Sequence, residues 1–441
     1  MALVPQFPEL VQENVRKFME SLGDDAALFV APHHHLRNGD AEYPYRQSSD
    51  ILYLTGWTDA QMAVFINPKA AKPVVMFVQP KDPAMETWTG LRPGIEGAIR
   101  DFGASDAFPY DQLAKQLPNL LVGVDRLHYR FAENSEMDKL LLESIAKARK
   151  NGKNTGLSGP SVFCDPSLIL HQQRLCKSEK EIAILKKAAE ITNQAHREAM
   201  GITKHGVYEY ELDARINYVF RSKGGNGPGY TTIVGGGNNA VILHYISNDK
   251  PLEDGTLVCV DAGCEYGYYT ADVTRTWPVN GKFTEPQAKL YQAVLDAEMT
   301  AIATAIPGKK FMDVHNAAVL SLTTSMVELG ILEGDVQELI EKKTYRKYFM
   351  HGTSHWLGMD VHDVGDYVEN QDSTVLKAGM VLTVEPGIYI PKNDEQAPVE
   401  YRGIGIRIED DILITPDGNE NLTKAIPKTI ADIEMVVGKY V

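Results

Sequence analysis

The chain has 441 residues, too many for one ordinary hydrophobic core, so two domains are expected. A hydrophobic content of 44% and a charged content of 23% belong to a globular protein, not a disordered or membrane-embedded one. The formal charge of −15, with no basic cluster to offset it, excludes a nucleic-acid-binding surface.

The opening stretch, Met1 to Gly23, has no long apolar core and reads as neither a secretory signal nor a membrane span. No other apolar run reaches the roughly 18 residues a span needs. Cys164, Cys176, Cys259 and Cys264 form no CxxC pair and read as reduced, mostly buried thiols of a cytoplasmic protein.

Residues 1–173 read as an α/β domain. Pro8–Leu22 has the spacing of an amphipathic helix. Ala27–Ala31, Ala63–Ile66, Val74–Val78 and Leu120–Val124 are apolar runs of strand length. Met137–Lys150 reads as a helix that ends in a basic turn. His33, His34 and His35 read as a solvated loop, since no carboxylate pattern surrounds them. The proline-bounded Pro160–Pro166 reads as the linker.

Residues 174–441 read as an α+β domain. Ser178-x-x-Glu181 and Thr284-x-x-Gln287 are capping boxes that open helices. Further helices are expected from Tyr208 to Lys223 and from Asp313 to Gly330. Strands are expected at Thr231–Val234, Val241–Tyr245, Leu257–Val260, Met380–Val384 and Ile404–Ile414. Gly235-Gly236-Gly237 lacks the Lys-Ser/Thr of a phosphate loop and reads as a turn.

The chemistry centres on Leu257–Pro278. An apolar strand ends at Asp261, and a turn at Tyr266-Gly267 would set Asp272 opposite it on the same face. Two facing carboxylates repel unless a positive charge lies between them. Downstream, Met380–Val384 ends in Glu385, followed by Pro386-Gly387. Ile404, Ile406 and Ile408 alternate with Gly405, Arg407 and Glu409, which puts the last three on a common face. His351, His355 and His362 fall close together among glycines, and His244 ends another apolar run. Four carboxylates with one imidazole suit two adjacent oxygen-preferring divalent ions, manganese first, better than one closed zinc site. Such ions would make hydroxide available near neutral pH.

The order Asp261, Asp272, His355, Glu385, Glu409 resembles that of the dinuclear pita-bread metallopeptidases. The stretches HGTSHWLGMDVHDVG (His351–Gly365), TVEPGIYI (Thr383–Ile390) and YRGIGIRIEDDI (Tyr401–Ile412) resemble the proline-specific aminopeptidase P family. EYPYRQSSDILYLTGW (Glu42–Trp57) resembles that family's non-catalytic domain. The resemblance implies a creatinase-type N-terminal domain, then a pita-bread catalytic domain. It implies hydrolysis of N-terminal Xaa-Pro peptide bonds through a metal-bridging hydroxide. Asp261 would hold one metal, His355 and Glu385 the other, and Asp272 and Glu409 both. Glu385 would shuttle the proton. His244, His351, His362 and Tyr389 would bind substrate. Arg407 would support the site, pairing with Asp40 of the N-terminal domain. Trp88 would reach a neighbouring subunit in a tetramer or dimer, and Lys153 stands where the family has an arginine. Prolidase shares the ligands, and Lys392–Val399 bears on substrate length. Methionine aminopeptidase shares only the catalytic domain. A non-enzymatic peptide-binding module would have lost ligands that this chain keeps.

Overall fold

In the computed structural model, which describes residues 6–153 and 156–439, the chain divides into two units, Met1–Gln173 and Arg174–Val441. The first unit is built on a six-stranded sheet. Its order is Asp106–Pro109, Val74–Val78, Ala63–Ile66, Ala26–Val30, Arg126–His128, Val162–Cys164. Ala63–Ile66 runs antiparallel to both neighbours, and the other pairings are parallel. The central strands are apolar at nearly every position because helices cover both faces, and Ala63–Ile66 and Val74–Val78 are buried throughout.

Two expectations fail in this unit. Leu120–Val124 is not a strand. Leu113, Leu117 and Leu121 recur every fourth residue and all are buried, so the apolar run is the tail of the helix Leu113–Leu120. The strand follows it, at Arg126–His128. Pro160–Pro166 is not a free linker either, since Val162–Cys164 pairs in parallel with Arg126–His128 and forms the sheet edge.

The second unit carries paired helices around short antiparallel sheets. Glu179–Ile202 packs on Glu209–Ser222, and Glu285–Thr304 packs on Phe311–Glu328. The capping boxes at Ser178 and Thr284 are formed, each side chain accepting the N–H of the residue three places on. Val258, Val260, Ile388, Ile406 and Ile408 lie in one apolar cluster with Leu212, Phe220 and Trp277, all essentially inaccessible to solvent.

Leu257–Asp261 is the middle strand of a three-stranded sheet, between Ile233–Gly236 and Thr274–Pro278. The turn lies at Gly267-Tyr268, one residue beyond the expected position, with φ values of 57° and 67°. Two left-handed residues are what a tight hairpin turn requires, and glycine takes the first without strain. Asp261 therefore pairs with Thr274, not Asp272. Asp272 sits where the hairpin passes from one small sheet to the next, opposite Gly263. A Cβ on Gly263 would lie 1.6 Å from the Ala271 carbonyl oxygen, so only glycine fits.

Val241–Tyr245 is not a strand. A 3-10 turn, Gly237–Val241, leads into an irregular loop, and Ile242 and Ile246 stay more than half exposed, with no sheet face to bury them. Ile404–Ile414 is two strands. Ile404–Arg407 pairs with Gly387–Ile390, and Asp410–Thr415 pairs with Val381–Val384. The break falls at Ile408-Glu409, where the Glu409 N–H leaves the ladder and donates to the Thr274 carbonyl at 3.1 Å.

Candidate active site

Three of the four acidic side chains of the site leave a strand at its end. Asp261 closes Leu257–Asp261, Glu385 follows Val381–Val384, and Glu409 occupies the break after Ile404–Arg407. Strand ends fix direction while freeing the side chain from the ladder. Asp261, Glu385, His244, His351, His355, His362 and Arg407 line one cavity of about 280 Å³. Asp272, His355 and Glu409 offer donor atoms within 4.8 Å of one another. His355 Nε2 lies 3.3 Å from Asp272 Oδ2 and 3.6 Å from Glu385 Oε1.

The donor set fits divalent cations. His355 Nδ1–H donates to the Trp356 carbonyl at 3.0 Å, which directs Nε2 at the carboxylates. That is the arrangement of a metal-binding imidazole, its other nitrogen tied to a carbonyl. Four buried carboxylates exceed the positive charge that His355 and Arg407 supply. Burial, then the nearby anions, drives Glu385 up to about 8 and Glu409 well above the carboxylate range. Burial would lower the His355 imidazole, but its bond to Asp272 and the Glu385 charge carry it up to about 9. Divalent ions among these groups would restore the carboxylates to anions. Asp261, Asp272, His355, Glu385 and Glu409 would hold them.

A second layer fixes the donors. Tyr230 donates to Asp261 Oδ1 at 2.6 Å, and Arg407 Nη2 donates to Asp261 Oδ2 at 2.6 Å. Thr274 donates to Glu409 Oε2 at 2.6 Å. The Asp411 carboxylate accepts the Asp272 N–H, and Arg275 Nη1 donates to the Glu409 carbonyl at 2.6 Å. Sequence reasoning missed Tyr230, Thr274, Arg275 and Asp411. Arg275 and Asp411 carried a faint signal, as charges inside segments of strand-like composition.

Arg407 is bound to Asp261, Thr274 and Tyr389. Asp40 is exposed beside the turn between Leu36–Asn38 and Ala41–Glu42. Trp88 is 85% exposed on the helix Pro83–Thr89, and Lys153 is exposed.

The histidines differ in freedom. Arg407 Nη1 donates to the Tyr389 hydroxyl at 3.1 Å, which turns that hydroxyl's proton toward His351 Nε2 at 2.8 Å. His351 Nδ1–H then donates to the Gly352 carbonyl at 2.6 Å. Burial and the Arg407 charge lower His351 to about 4, so the ring is neutral with both nitrogens engaged. Among the described residues, none hydrogen-bonds the rings of His244 or His362. Of the four thiols, Cys259 and Cys264 are buried, Cys164 is half-buried and Cys176 is exposed; none is in a disulfide. Burial raises Cys264 to about 12, which leaves it a thiol at neutral pH.

An α/β unit followed by an α+β unit, with a buried carboxylate-imidazole cluster at strand ends, defines a metallopeptidase architecture. The chain belongs to metallopeptidase family M24, whose model matches residues 183–416, and residues 11–128 match the aminopeptidase P N-terminal domain. It is 43% identical to the Xaa-Pro aminopeptidase of Escherichia coli (strain K12), over 94% of each chain. It is 40% identical to that of Haemophilus influenzae, over 98% of each. An aminopeptidase structure from Pseudomonas aeruginosa matches with a TM-score of 0.95 at 41% identity, over 97% of each chain. A zinc-substituted E. coli aminopeptidase P in complex with product matches with a TM-score of 0.93 at 41% identity, over 97% of this chain and 98% of that one.

Proposed function

We infer that the chain is a metal-dependent Xaa-Pro aminopeptidase, removing the first residue of peptides with proline second. The observation that carries this is one cavity lined by Asp261, His355 and Glu385 together with two histidines with free rings, His244 and His362. Near-full-length similarity to Xaa-Pro aminopeptidases supports the substrate class, and it favours this reading over a prolidase or a non-enzymatic module.

Two divalent ions, manganese first, are the cofactors proposed. Such ions polarise a carbonyl and lower the pKa of water. The chain's own residues do the rest. Glu385, with its N–H held by the Thr353 carbonyl at 2.8 Å, faces the cavity beside His355. It is placed to take a proton from the attacking water and deliver it to the leaving nitrogen. That nitrogen belongs to proline and has no hydrogen in the substrate, so it must gain one to depart. His362 and His244 have N–H groups to offer the scissile carbonyl and its oxyanion. His351, engaged on both sides, forms a wall whose orientation Tyr389 and Arg407 fix.

Assembly as a tetramer and a cytoplasmic location complete the reading. The exposed Trp88 supports the first. Four cysteines without a disulfide support the second, and no described helix is long and apolar enough to cross a membrane. The deciding experiment offers an Xaa-Pro-Xaa tripeptide and an Xaa-Pro dipeptide to the manganese-loaded protein. Release of the first residue from the tripeptide is expected. Turnover of the dipeptide alone would make the protein a prolidase, and turnover of neither would refute both.

A further inference from the structure

One buried charged cluster is unused by this mechanism. Asp363 follows His362 directly, and its side chain is 1% exposed. Its Oδ1 accepts from Arg174 Nη2 at 2.7 Å and its Oδ2 from Lys177 Nζ at 2.9 Å. Both cations are buried, with side-chain exposures of 3% and 1%. Arg174 also donates to Asp360 at 2.8 Å. Burial disfavours the Asp363 anion, but Lys177 and Arg174 together hold it below the usual carboxylate range.

The backbone of the loop is tied down at the same place. The Asp363 N–H donates to the Trp356 carbonyl at 2.9 Å, and the Gly358 carbonyl accepts from Thr270 at 2.9 Å, two residues before Asp272. A Cβ on Gly358 would lie 2.1 Å from Asp363 Oδ2 and 2.9 Å from Lys177 Cε. The glycine is what allows the carboxylate and the ammonium to meet there.

His362 is the opposite of its neighbour. It is exposed, and its ring contact is edge-on to His355, with centroids 4.3 Å apart. A ring with no hydrogen bond of its own is placed by the backbone beneath it. Stability alone is a poor reason for so costly a cluster, since well-packed apolar residues of similar volume hold a loop as well as a buried ion pair. Precision at the adjacent residue is a better one.

We propose that Asp363, clamped between Arg174 and Lys177, is the positioning residue that sets His362 against the substrate carbonyl. This rests on the reading of His362 as a substrate-holding group. The test is a set of double-mutant cycles. Asp363→Asn and Lys177→Met are each made alone and with His362→Ala. The tripeptide kcat and KM, the metal content and the melting temperature are measured for each. Lys177→Met leaves Arg174 balanced by Asp363 and Asp360, so it keeps the fold even where Asp363→Asn does not.

In the native background the network variants are expected to lose up to about 10²-fold in kcat, the cost of roughly 1 Å of misplacement. KM and bound metal should change little, and Lys177→Arg should restore the rate. In the His362→Ala background the same changes should cost less than about twofold, because a positioning residue has nothing left to position. Equal losses in both backgrounds, with His362→Ala itself impaired, would overturn the positioning role alone. So would a network variant that folds and keeps full turnover. Full turnover in His362→Ala would overturn the reading beneath it as well.

Discussion

His196 should give the catalytic unit an acid-sensitive stability. It lies in the helix Glu179–Ile202 and is inaccessible to solvent. Its Nε2 meets the Ala262 carbonyl at 3.0 Å, while Nδ1 is buried with no partner. The ring is therefore neutral, with its proton on Nε2. A second proton would place an N–H without an acceptor in a closed interior, and burial accordingly drives the pKa from 6.5 to about 4. Because the folded value is the lower one, the unfolded chain takes the proton first as pH falls. Stability is fully present above about pH 6.5 and is lost on the way down to about pH 4. From these two values, moving from pH 7.5 to pH 5 removes about 2 kcal/mol. His196→Gln keeps an N–H for Ala262 but does not titrate. Urea unfolding followed by tryptophan fluorescence suits the comparison, since Trp277 stands edge-on to His196 with ring centroids 6.5 Å apart. Between the two pH values the variant should gain about 2 kcal/mol relative to the native protein. Parallel pH dependences for the two proteins would refute the argument.

Arg275→Met should cost about 3–5 kcal/mol in denaturant unfolding, because it leaves the buried Asp410 carboxylate with Lys428 as its remaining cation. Ile406→Ala should cost about 2–5 kcal/mol with metal content kept, whereas Arg407→Ala should lose catalytic efficiency more than melting temperature; the reverse would put the strand in the wrong register. His362→Ala should keep its metals by elemental analysis and lose about 10²–10³ in kcat. Chelation should abolish activity and manganese restore it, while Cys264→Ala retains its rate; an inactive, folded, metal-loaded Cys264→Ala would refute attack by hydroxide without a thiol.

Residues whose partners lie close in sequence, or whose pattern is periodic, were readable. The isoleucines of Ile404–Ile408 alternate as a strand must, so the face bearing Arg407 could be assigned before any fold was known. The capping boxes were readable because both halves lie within one helical turn. Leu120–Val124 was misread because a short apolar run looks alike as a strand and as the end of a helix, and only Leu113 and Leu117 upstream separate the two. The hairpin register slipped because turn position depends on which residues accept left-handed φ, and Tyr268 does so without being a glycine. The Arg407–Asp261 pair spans 146 residues, a separation that spacing cannot bridge.

The second layer was hidden for a related reason, visible in the threonines of the site strands. Thr274 and Thr383 are fully buried. As β-branched residues they satisfy the strand, and in a sequence they read as ordinary strand formers. Each also carries a hydroxyl that a buried strand must satisfy. Thr274 donates to Glu409 and accepts from Arg407 Nε at 2.9 Å, so one hydroxyl joins a carboxylate to the arginine that holds Asp261. Thr383 accepts the His355 N–H at 3.1 Å, tying the imidazole's backbone to the strand that delivers Glu385. Valine would have the same shape and would leave Arg407 Nε and the His355 N–H without these acceptors. The hydroxyls link strand ends from separate small sheets into one rigid frame, and that frame is what brings carboxylates together against their mutual repulsion.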